Sequence, residues 1–430
     1  MLTGFIRHRA LTVRNNNIMP GNIASGSKAT RLVIIGTAGA LLLAACGTAS
    51  ASPTKASSTS VVNKAPYVFH ADLSETGQLA FLGSRQAKAL QGLASYENAR
   101  GGIDGHKIVL DIKDNQSNTV TGVSIATGWE AKKIPFIFNG SYSAVTRAVN
   151  ATAGSNGPVI YDLSPVDTAQ PGSYIFISGI SYKLDLEAIL NMLRSKGLTK
   201  IAFLNSTDAS GASGWPIMQS LLKQPSYSGF QVVSHQTYLP TATSAATQLA
   251  VIKSSNPQAL IIWTTGTPLG TALQAQAQYN MGNIPDFTSA GNAVTGEMLH
   301  FKKVLPSNIY FPTGALYLKP SELPSNLAPT VSTFQAIVSK AGGHPNDGWG
   351  LAYVPAMMLI SALKHLGINA TSVQIRNYFQ HLTNFPTIYG EYNLSSSNHS
   401  GVNLNGVYMT TWNGSGFVQA SGPSGLPLGK

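Results

Sequence analysis

From residue 67 onward, the sequence alternates short apolar runs with longer amphipathic segments. Short apolar runs predict buried strands, and apolar residues that recur at helical spacing predict helices. The predicted strands are Tyr67–Ala71, Lys107–Ile112, Pro135–Phe138, Pro158–Asp162, Lys200–Leu204, Phe230–Val233 and Ala259–Trp263. The predicted helices are Arg85–Arg100, Val120–Lys132, Lys183–Ser195, Ile217–Lys223, Thr243–Ser254 and Leu269–Met281. Strands that alternate with helices form βαβ units, so the predicted fold class is α/β, with parallel sheets and helices on both faces.

The C-terminal part of the chain departs from this alternation. Trp349–Leu366 is apolar on nearly all sides and predicts a buried helix, which Pro355 either kinks or starts. The later segments Tyr389–Leu394 and Gly406–Trp412 predict two short strands of a hairpin, because a turn rich in Asn, Ser and Gly separates them. About 365 residues exceed the size of a single core, so we expect two domains.

The N-terminus has the pattern of an export signal. A basic region ends at Arg31, and the uncharged run Leu32–Ala45 is too short to span a bilayer. Leu43–Cys46 resembles a bacterial lipobox, in which the cysteine receives a lipid, and Cys46 is the only cysteine of the chain. The alternative is a buried N-terminal helix with an incidental cysteine. We expect residues 1–45 to be a lipoprotein signal peptide, and residues 46–65, rich in Ser, Thr and Ala, to be a flexible tether.

Composition and charge restrict the class of protein. Only 10% of the residues are charged, and the formal charge of +11 includes five basic residues of the export signal, which leaves +6 for the rest. No cluster of basic residues marks a nucleic-acid surface, so we expect no nucleic-acid partner.

Motifs for enzymatic chemistry are not found in the sequence. It has no GxSxG elbow, no phosphate-binding GxxxxGK loop, no GxGxxG after a strand, no HExxH and no CxxC. The histidines are far apart, so no metal ligands are predicted. A catalytic triad built from distant residues stays an alternative, but nothing positive favours an enzyme, and no cofactor is expected.

One strand-to-helix turn has residues suited to binding an anion. Asn139–Ser143 follows a predicted strand and precedes a helix, and it combines hydroxyl and amide side chains. Such turns lie at the carboxyl ends of parallel strands, where ligands bind and where helix N-termini present free N–H groups. The alternative role of Ser143 is to cap the helix that follows, and the two roles are compatible.

Several motifs together resemble the type I periplasmic binding proteins of the branched-chain amino acid class, which are solute-binding components of ABC importers. The resemblance extends from Tyr67 to Val418 in the family's order. Its motifs are Leu73–Gly77, Phe81–Gly83, Asn98–Lys107, Asp114–Ser117, Trp349–Gly367, Tyr389–Asn393 and Val407–Met409.

This resemblance implies two Rossmann-like lobes that are joined by three crossovers, with the ligand between them. Lobe one is then 66–178 plus 313–385, and lobe two is 179–312 plus 386–420. The ligand-binding positions of the family fall on residues of both lobes. These are Phe81, Ser141, Tyr142, Ser143 and Ser164 in lobe one, and Tyr182, Asp208, Ser210, Thr267 and Asn292 in lobe two.

The chain departs from the family pattern at the acidic residue that binds an α-ammonium group. That residue falls near Gly291 and Asn292, where no carboxylate is present. Either Asp208 or Asp162 replaces it, or the ligand is a neutral amide or a simple carboxylate, because a buried ammonium without a partner is costly. Tyr182 and Trp215 are candidates for aromatic wall residues or for plain packing.

The resemblance and the lipobox together imply a function. We expect a monomeric lipoprotein, anchored through Cys46 on the outer face of the cell membrane, that captures a small amino acid, amide or carboxylate by hinge closure and delivers it to ABC permease subunits. A sensory lipoprotein of the same fold that transports nothing is an alternative. An exported hydrolase is a further alternative.

Overall fold

The computed structural model describes residues 64–140 and 142–429. Cys46, the predicted signal peptide, nearly all of the predicted tether and Ser141 therefore lie outside the described residues. None of the described helices combines the length and the hydropathy needed to span a bilayer.

The described residues form an α/β fold, as the alternating pattern predicts. The strands are β1 (Tyr67–Leu73), β2 (Ile108–Asp114), β3 (Phe136–Asn139), β4 (Val159–Asp162), β5 (Ile175–Ile177), β6 (Lys200–Ser206), β7 (Gln231–Tyr238), β8 (Ala259–Trp263), β9 (Asp286–Thr288), β10 (Ile309–Thr313), β11 (Phe385–Thr387), β12 (Gly390–Tyr392), β13 (Tyr408–Trp412) and β14 (Phe417–Pro423). The helices are α1 (Ala80–Ala99), α2 (Thr119–Ala131), α3 (Ser143–Asn150), α4 (Tyr182–Ser195), α5 (Ala209–Leu222), α6 (Ala246–Ser254), α7 (Thr267–Gln278), α8 (Thr295–Phe301), α9 (Ala328–Lys340), α10 (Asp347–Leu366) and α11 (Ser372–Phe379).

Two sheets define two lobes. The first sheet has the order β2-β1-β3-β4-β5, and all its strand pairs are parallel. The second has the order β14-β13-β10-β9-β8-β6-β7, in which β13 and β14 are antiparallel additions to a parallel core. We call the first sheet with its helices lobe one, and the second sheet with its helices lobe two.

The apolar runs that predict the central strands become buried on both faces. Every residue of β3, β4 and β8 is buried, because helices cover both sides of each sheet. The equally buried β10 is a central strand that the sequence prediction missed. The nearly all-apolar helix α10 packs on α1 of lobe one, and α4 packs on α5, β10 and β13 of lobe two. The chain thus passes from lobe one to lobe two after β5, returns after β10, and enters lobe two again before β13.

Two details of the sequence prediction are wrong. The segments at 389–394 and 406–412 do not pair with each other, because β12 pairs with β11, whereas β13 pairs with β10 and β14. Pro355 does not start the buried helix, which begins eight residues earlier at Asp347. The residue before Asp347, Asn346, is extended and supplies the break in backbone conformation that starts the helix.

Helix α5 is longer than the sequence predicts. It begins at Ala209 and contains Pro216, although the prediction starts it at Ile217. Its first turns are rich in glycine, which lowers helix propensity and hides the helix from a pattern search. Tertiary packing explains these glycines, because a methyl group at Gly211 would collide with Ser206 and one at Gly214 would collide with Trp263.

Candidate functional site

A cavity of about 380 Å³ lies between the two lobes, and its size is typical of small-molecule sites. Its walls are the turns that follow the carboxyl ends of β1, β3 and β4 in lobe one and of β6 to β9 in lobe two. Ligands bind at this edge of open parallel sheets. Eight of the expected site residues line the cavity: Phe81, Tyr142, Ser143, Ser164, Tyr182, Asp208, Ser210 and Thr267.

Two serines form the polar part of the lobe-one wall. Ser143 is the first residue of α3, and Ser164 follows β4. Their hydroxyl oxygens are 3.0 Å apart and both residues are more than nine-tenths buried. The N-cap position of α3 is Tyr142 and its side chain makes no capping bond, so the alternative role of Ser143 as the helix cap is wrong. The Ser143 hydroxyl pairs with Ser164 instead.

The lobe-two wall presents a carboxylate held by two serines. Asp208 occupies the N-cap position of α5 without capping it. The hydroxyl of Ser206 donates to one carboxylate oxygen of Asp208, and that of Ser210 donates to the other at 2.6 Å. The carboxylate is therefore oriented by neutral donors. Thr267, the first residue of α7, is exposed at the same wall.

Aromatic rings contribute to both walls. Phe81 of α1 faces lobe two, because a methyl group at Gly266 would lie 3.6 Å from its ring. Tyr182 lines the cavity and also packs edge-on against Trp263, at 4.9 Å between ring centroids. Trp215 is not among the described lining residues and stacks on His235 at 3.8 Å, so its role here is packing.

Asn292 is an expected site residue that the structure does not place in the cavity wall. It is fully buried, and its side-chain oxygen accepts a hydrogen bond of 2.9 Å from the backbone N–H of Gly266. Its amide nitrogen donates to the carbonyl of Thr264 and to the hydroxyl of Thr288, both at 2.7 Å. Asn292 therefore positions the turn before α7 from behind.

Asp162 is also removed from the cavity. Asn139 and Asn150 each donate a hydrogen bond of 2.6 Å to its carboxylate. Burial raises the pKa of Asp162 to about 8. Of the two acids considered as partners for an ammonium group, only Asp208 lines the cavity.

Sequence reasoning missed two further carboxylates in the cavity lining, Asp185 and Asp347. Asp185 lies in the first turn of α4 and is fully buried, and Asp347 is the first residue of α10. Burial raises the pKa of Asp185 well above its usual range, and the nearby Asp347 raises it further. Burial also raises the pKa of Asp347 to about 6, although the hydroxyl of Tyr389 donates a 2.6 Å hydrogen bond to it.

A signal for both residues is present in the sequence. Asp185 interrupts an apolar run, between Leu184 and Leu186, on a helix face that must be buried. Asp347 lies two residues before the apolar segment Trp349–Leu366. Acids at such places are almost never buried without a function or a partner.

Helix N-termini converge on the cavity. The first residues of α4, α7 and α10, and the residues on both sides of the starts of α3 and α5, line it. Free N–H groups and the helix dipole give such ends a partial positive charge that favours anions. No Lys, Arg or His is among the described lining residues. The described residues also contain no group of three His, Cys, Asp or Glu that could hold a metal ion.

Comparisons with known proteins agree with this architecture. A model of a periplasmic binding protein family matches residues 73–417. A search of curated proteins finds no match. An extracellular ligand-binding receptor from Rhodopseudomonas palustris has the same fold, with a TM-score of 0.72 and 15% identity over 83% of this chain and 99% of its own.

Two other solved structures resemble this chain at similar levels. The branched-chain amino acid transporter substrate-binding protein LivJ from Streptococcus pneumoniae, solved with isoleucine, has a TM-score of 0.66 and 20% identity over 83% of this chain and all of its own (100%). The leucine-binding protein LivK from Thermotoga maritima has a TM-score of 0.69 and 16% identity over 83% of this chain and 98% of its own. The TM-scores show a shared fold, and at these low identities the likeness shows the fold alone.

The family match spans the elements that build both lobes and the cavity between them. It confirms the resemblance found in the sequence motifs. The chain therefore belongs to the periplasmic binding protein family, with the two-lobed α/β fold of type I members and the extracytoplasmic location that the family implies.

Proposed function

We propose that this protein is an extracytoplasmic receptor for a small ligand that carries both a carboxylate and an ammonium group, as an amino acid does. One observation supports this most directly. A single interlobe cavity presents a buried serine pair at a helix N-terminus on lobe one and an oriented aspartate on lobe two.

The lobe-one wall suits a carboxylate. The hydroxyls of Ser143 and Ser164 are adjacent, and the backbone N–H groups at the start of α3 have no earlier turn to bind. Hydrogen bonds from such donors to an ionised acceptor are shorter and stronger than neutral ones. A carboxylate bound at this wall would accept hydrogen bonds from the hydroxyl and N–H groups that the sequence predicts for the turn around Ser143.

The lobe-two wall suits an ammonium group. Asp208 is only partly buried, and its two serine donors hold the carboxylate in place. An ammonium group donates three hydrogen bonds and gains most from an ionised acceptor. Asp208 thus replaces the acid that is missing near Gly291, and the site favours an amino acid over a simple carboxylate.

This division of donors and acceptors explains why closure would accompany binding. The carboxylate partners belong to lobe one and the ammonium partner belongs to lobe two, so only a closed form contacts both ends of the ligand. A ligand shifts the population toward the state that it binds more tightly.

We further propose that a lipid on Cys46 anchors the monomeric receptor to the membrane and that the receptor delivers its ligand to ABC permease subunits. No role as an enzyme is proposed, because the family and the neighbours that this chain resembles are ligand-binding proteins.

Calorimetric titration of the full-length chain tests the proposal. The three ligand series are L-amino acids, their amides and the simple carboxylates of the same carbon skeleton. We expect the amino acids to bind most tightly, and Ser143→Ala and Asp208→Asn to weaken them at least tenfold. Asp111→Asn is the matched control, since Asp111 lies on the edge strand β2 and does not line the cavity. Absence of binding in all three series, or unchanged affinity in both variants, would refute the proposal.

A further inference from the structure

The described part of the cavity has more acids than an ordinary amino acid needs. We propose that the ligand carries one more ammonium than carboxylate, as a basic amino acid does, and that Asp185 and Asp347 together bind the additional ammonium. This inference rests on the proposed function, because it places the ligand in the same cavity. It concerns two carboxylates that the binding of an α-amino acid group at Ser143 and Asp208 does not use.

Asp185 is the observation that points to a ligand. The residue is part of the cavity wall and is fully buried, and neither carboxylate oxygen has a hydrogen-bond partner of normal geometry. The nearby backbone N–H of Ala290 favours the ionised form, but burial outweighs it. Buried polar groups are almost always hydrogen-bonded, and Asp185 combines two free oxygens with a place in the cavity wall, where a ligand can supply the missing donor.

Asp347 strengthens the case because it brings a second carboxylate to the same place. Both acids are part of the same cavity wall. Besides burial, the charge of Asp347 raises the pKa of Asp185, and the charges of Asp185, Asp208 and Asp347 raise the pKa of Tyr182. The side-chain hydrogen bond of the Asp347 carboxylate comes from the neutral hydroxyl of Tyr389. Two neighbouring carboxylates cannot both ionise cheaply without a cation between them.

No described cation lines the cavity, although Arg85 packs beside Gly348 and over the ring of Phe81. The described lining residues include no Lys, Arg or His, and none of the ion pairs in the described residues involves Asp185, Asp208 or Asp347. The N-termini of α4 and α10 partly offset the charges of these acids, but a helix dipole supplies no hydrogen-bond donor to the free oxygens of Asp185. A ligand ammonium supplies both the charge and the donors.

The rest of the wall suits the methylene chain of such a ligand. Leu82, Leu163 and Leu351 line the cavity together with the rings of Phe81 and Tyr182. Apolar side chains pack on methylene groups, and aromatic rings attract a cation that passes over their faces. The cavity therefore combines an apolar middle with acids from separate places in the fold, namely α4, α10 and the turn before α5.

Matched ligand pairs test this inference by calorimetry on the full-length chain. L-Lysine is compared with L-norleucine, and L-ornithine with L-norvaline, so that each pair differs by the side-chain ammonium. We expect the ammonium-bearing member to bind at least tenfold more tightly. Asp185→Asn keeps the shape and removes the charge, and it should reduce this ratio to near one.

A second buried acid provides the control for the variant. Asp286 is fully buried with a raised pKa but does not line the cavity, so Asp286→Asn should keep the wild-type ratio. Norleucine affinity equal to or above that of lysine would overturn the inference and leave the proposed function standing. A lysine preference that survives in Asp185→Asn would overturn the assignment to Asp185. Absence of binding by all four ligands and by the series of the previous section would overturn both proposals. The wild-type ratio stays decisive even if the variant fails to fold.

Discussion

The hydrogen bond between Tyr389 and Asp347 allows a test of the electrostatics at Asp347, which lines the cavity. Both residues are buried, and the tyrosine hydroxyl donates to the carboxylate at 2.6 Å. Tyr389→Phe removes only this donor and keeps the ring, which packs closely against Gly314 and Gly350. The variant leaves Asp347 buried without its side-chain donor.

The expected loss depends on pH, because the charge of the acceptor does. A hydrogen bond to a charged group contributes about 1.5–3 kcal/mol and a neutral one about 1 kcal/mol. The pKa of Asp347 is about 6, so the acid is ionised at pH 8 and protonated at pH 4.5. We expect Tyr389→Phe to lower the free energy of unfolding by about 2 kcal/mol at pH 8 and by about 1 kcal/mol at pH 4.5. The difference corresponds to a rise of roughly 0.7 units in the pKa of Asp347.

Urea unfolding of wild type and variant at the two pH values measures this difference. Tyr161→Phe is the control, because Tyr161 is fully buried and its hydroxyl contacts the neutral sulfur of Met358 at 3.5 Å. Tyr161→Phe should lower the free energy of unfolding by the same amount at both pH values. If Tyr389→Phe also showed a loss independent of pH, the reasoning about Asp347 would be wrong.

Three further predictions concern other parts of the chain. Asn292→Ala leaves the backbone N–H of Gly266 without its acceptor, and it should lower the free energy of unfolding by about 2 kcal/mol or more in urea unfolding; unchanged stability would contradict its positioning role. Burial raises the pKa of Glu297 to about 7, so the folded state holds a proton that the unfolded state loses at lower pH. Wild type should therefore lose about 3 kcal/mol of stability relative to Glu297→Gln between pH 4.5 and pH 8, and a gain in relative stability over that range would contradict the raised pKa. Cys46→Ala should abolish metabolic labelling with a lipid precursor and release the chain from membranes; persistent labelling would argue against the lipobox.

Much of the fold follows from local pattern. The central strands are continuous apolar runs because helices bury both their faces, so β3, β4 and β8 are recognisable without tertiary information. The short strands β5 and β9 have three residues each and carry too little pattern to be recognised. β13 pairs with β10 and β14. The turn-rich sequence before β13 instead predicts a hairpin with the preceding strand, because local pattern does not show which strands meet in the sheet.

The candidate site also contains residues that the sequence predicts and residues that only the folded structure identifies. Residues at strand-end turns, such as Ser143 and Asp208, follow from the rule that ligands bind at the carboxyl ends of parallel strands. Asp185 and Asp347 lie inside helices, and only the packing of α4 and α10 beside the cleft brings them to the cavity. Asn292 is a residue that the family pattern places at the ligand but that does not line the cavity. Its side chain instead accepts a hydrogen bond from Gly266 and holds that turn in place.

The central claim is that a ligand held between the lobes draws them together. Small-angle X-ray scattering of the full-length chain with the tightest ligand of the calorimetric series measures this directly. The account predicts that the radius of gyration falls on addition of ligand in wild type and in Asp111→Asn, and that it does not fall in the double variant Ser143→Ala, Asp208→Asn at the same concentration. A ligand that binds by calorimetry and leaves the radius of gyration unchanged, or one that compacts the double variant as it does wild type, would contradict it.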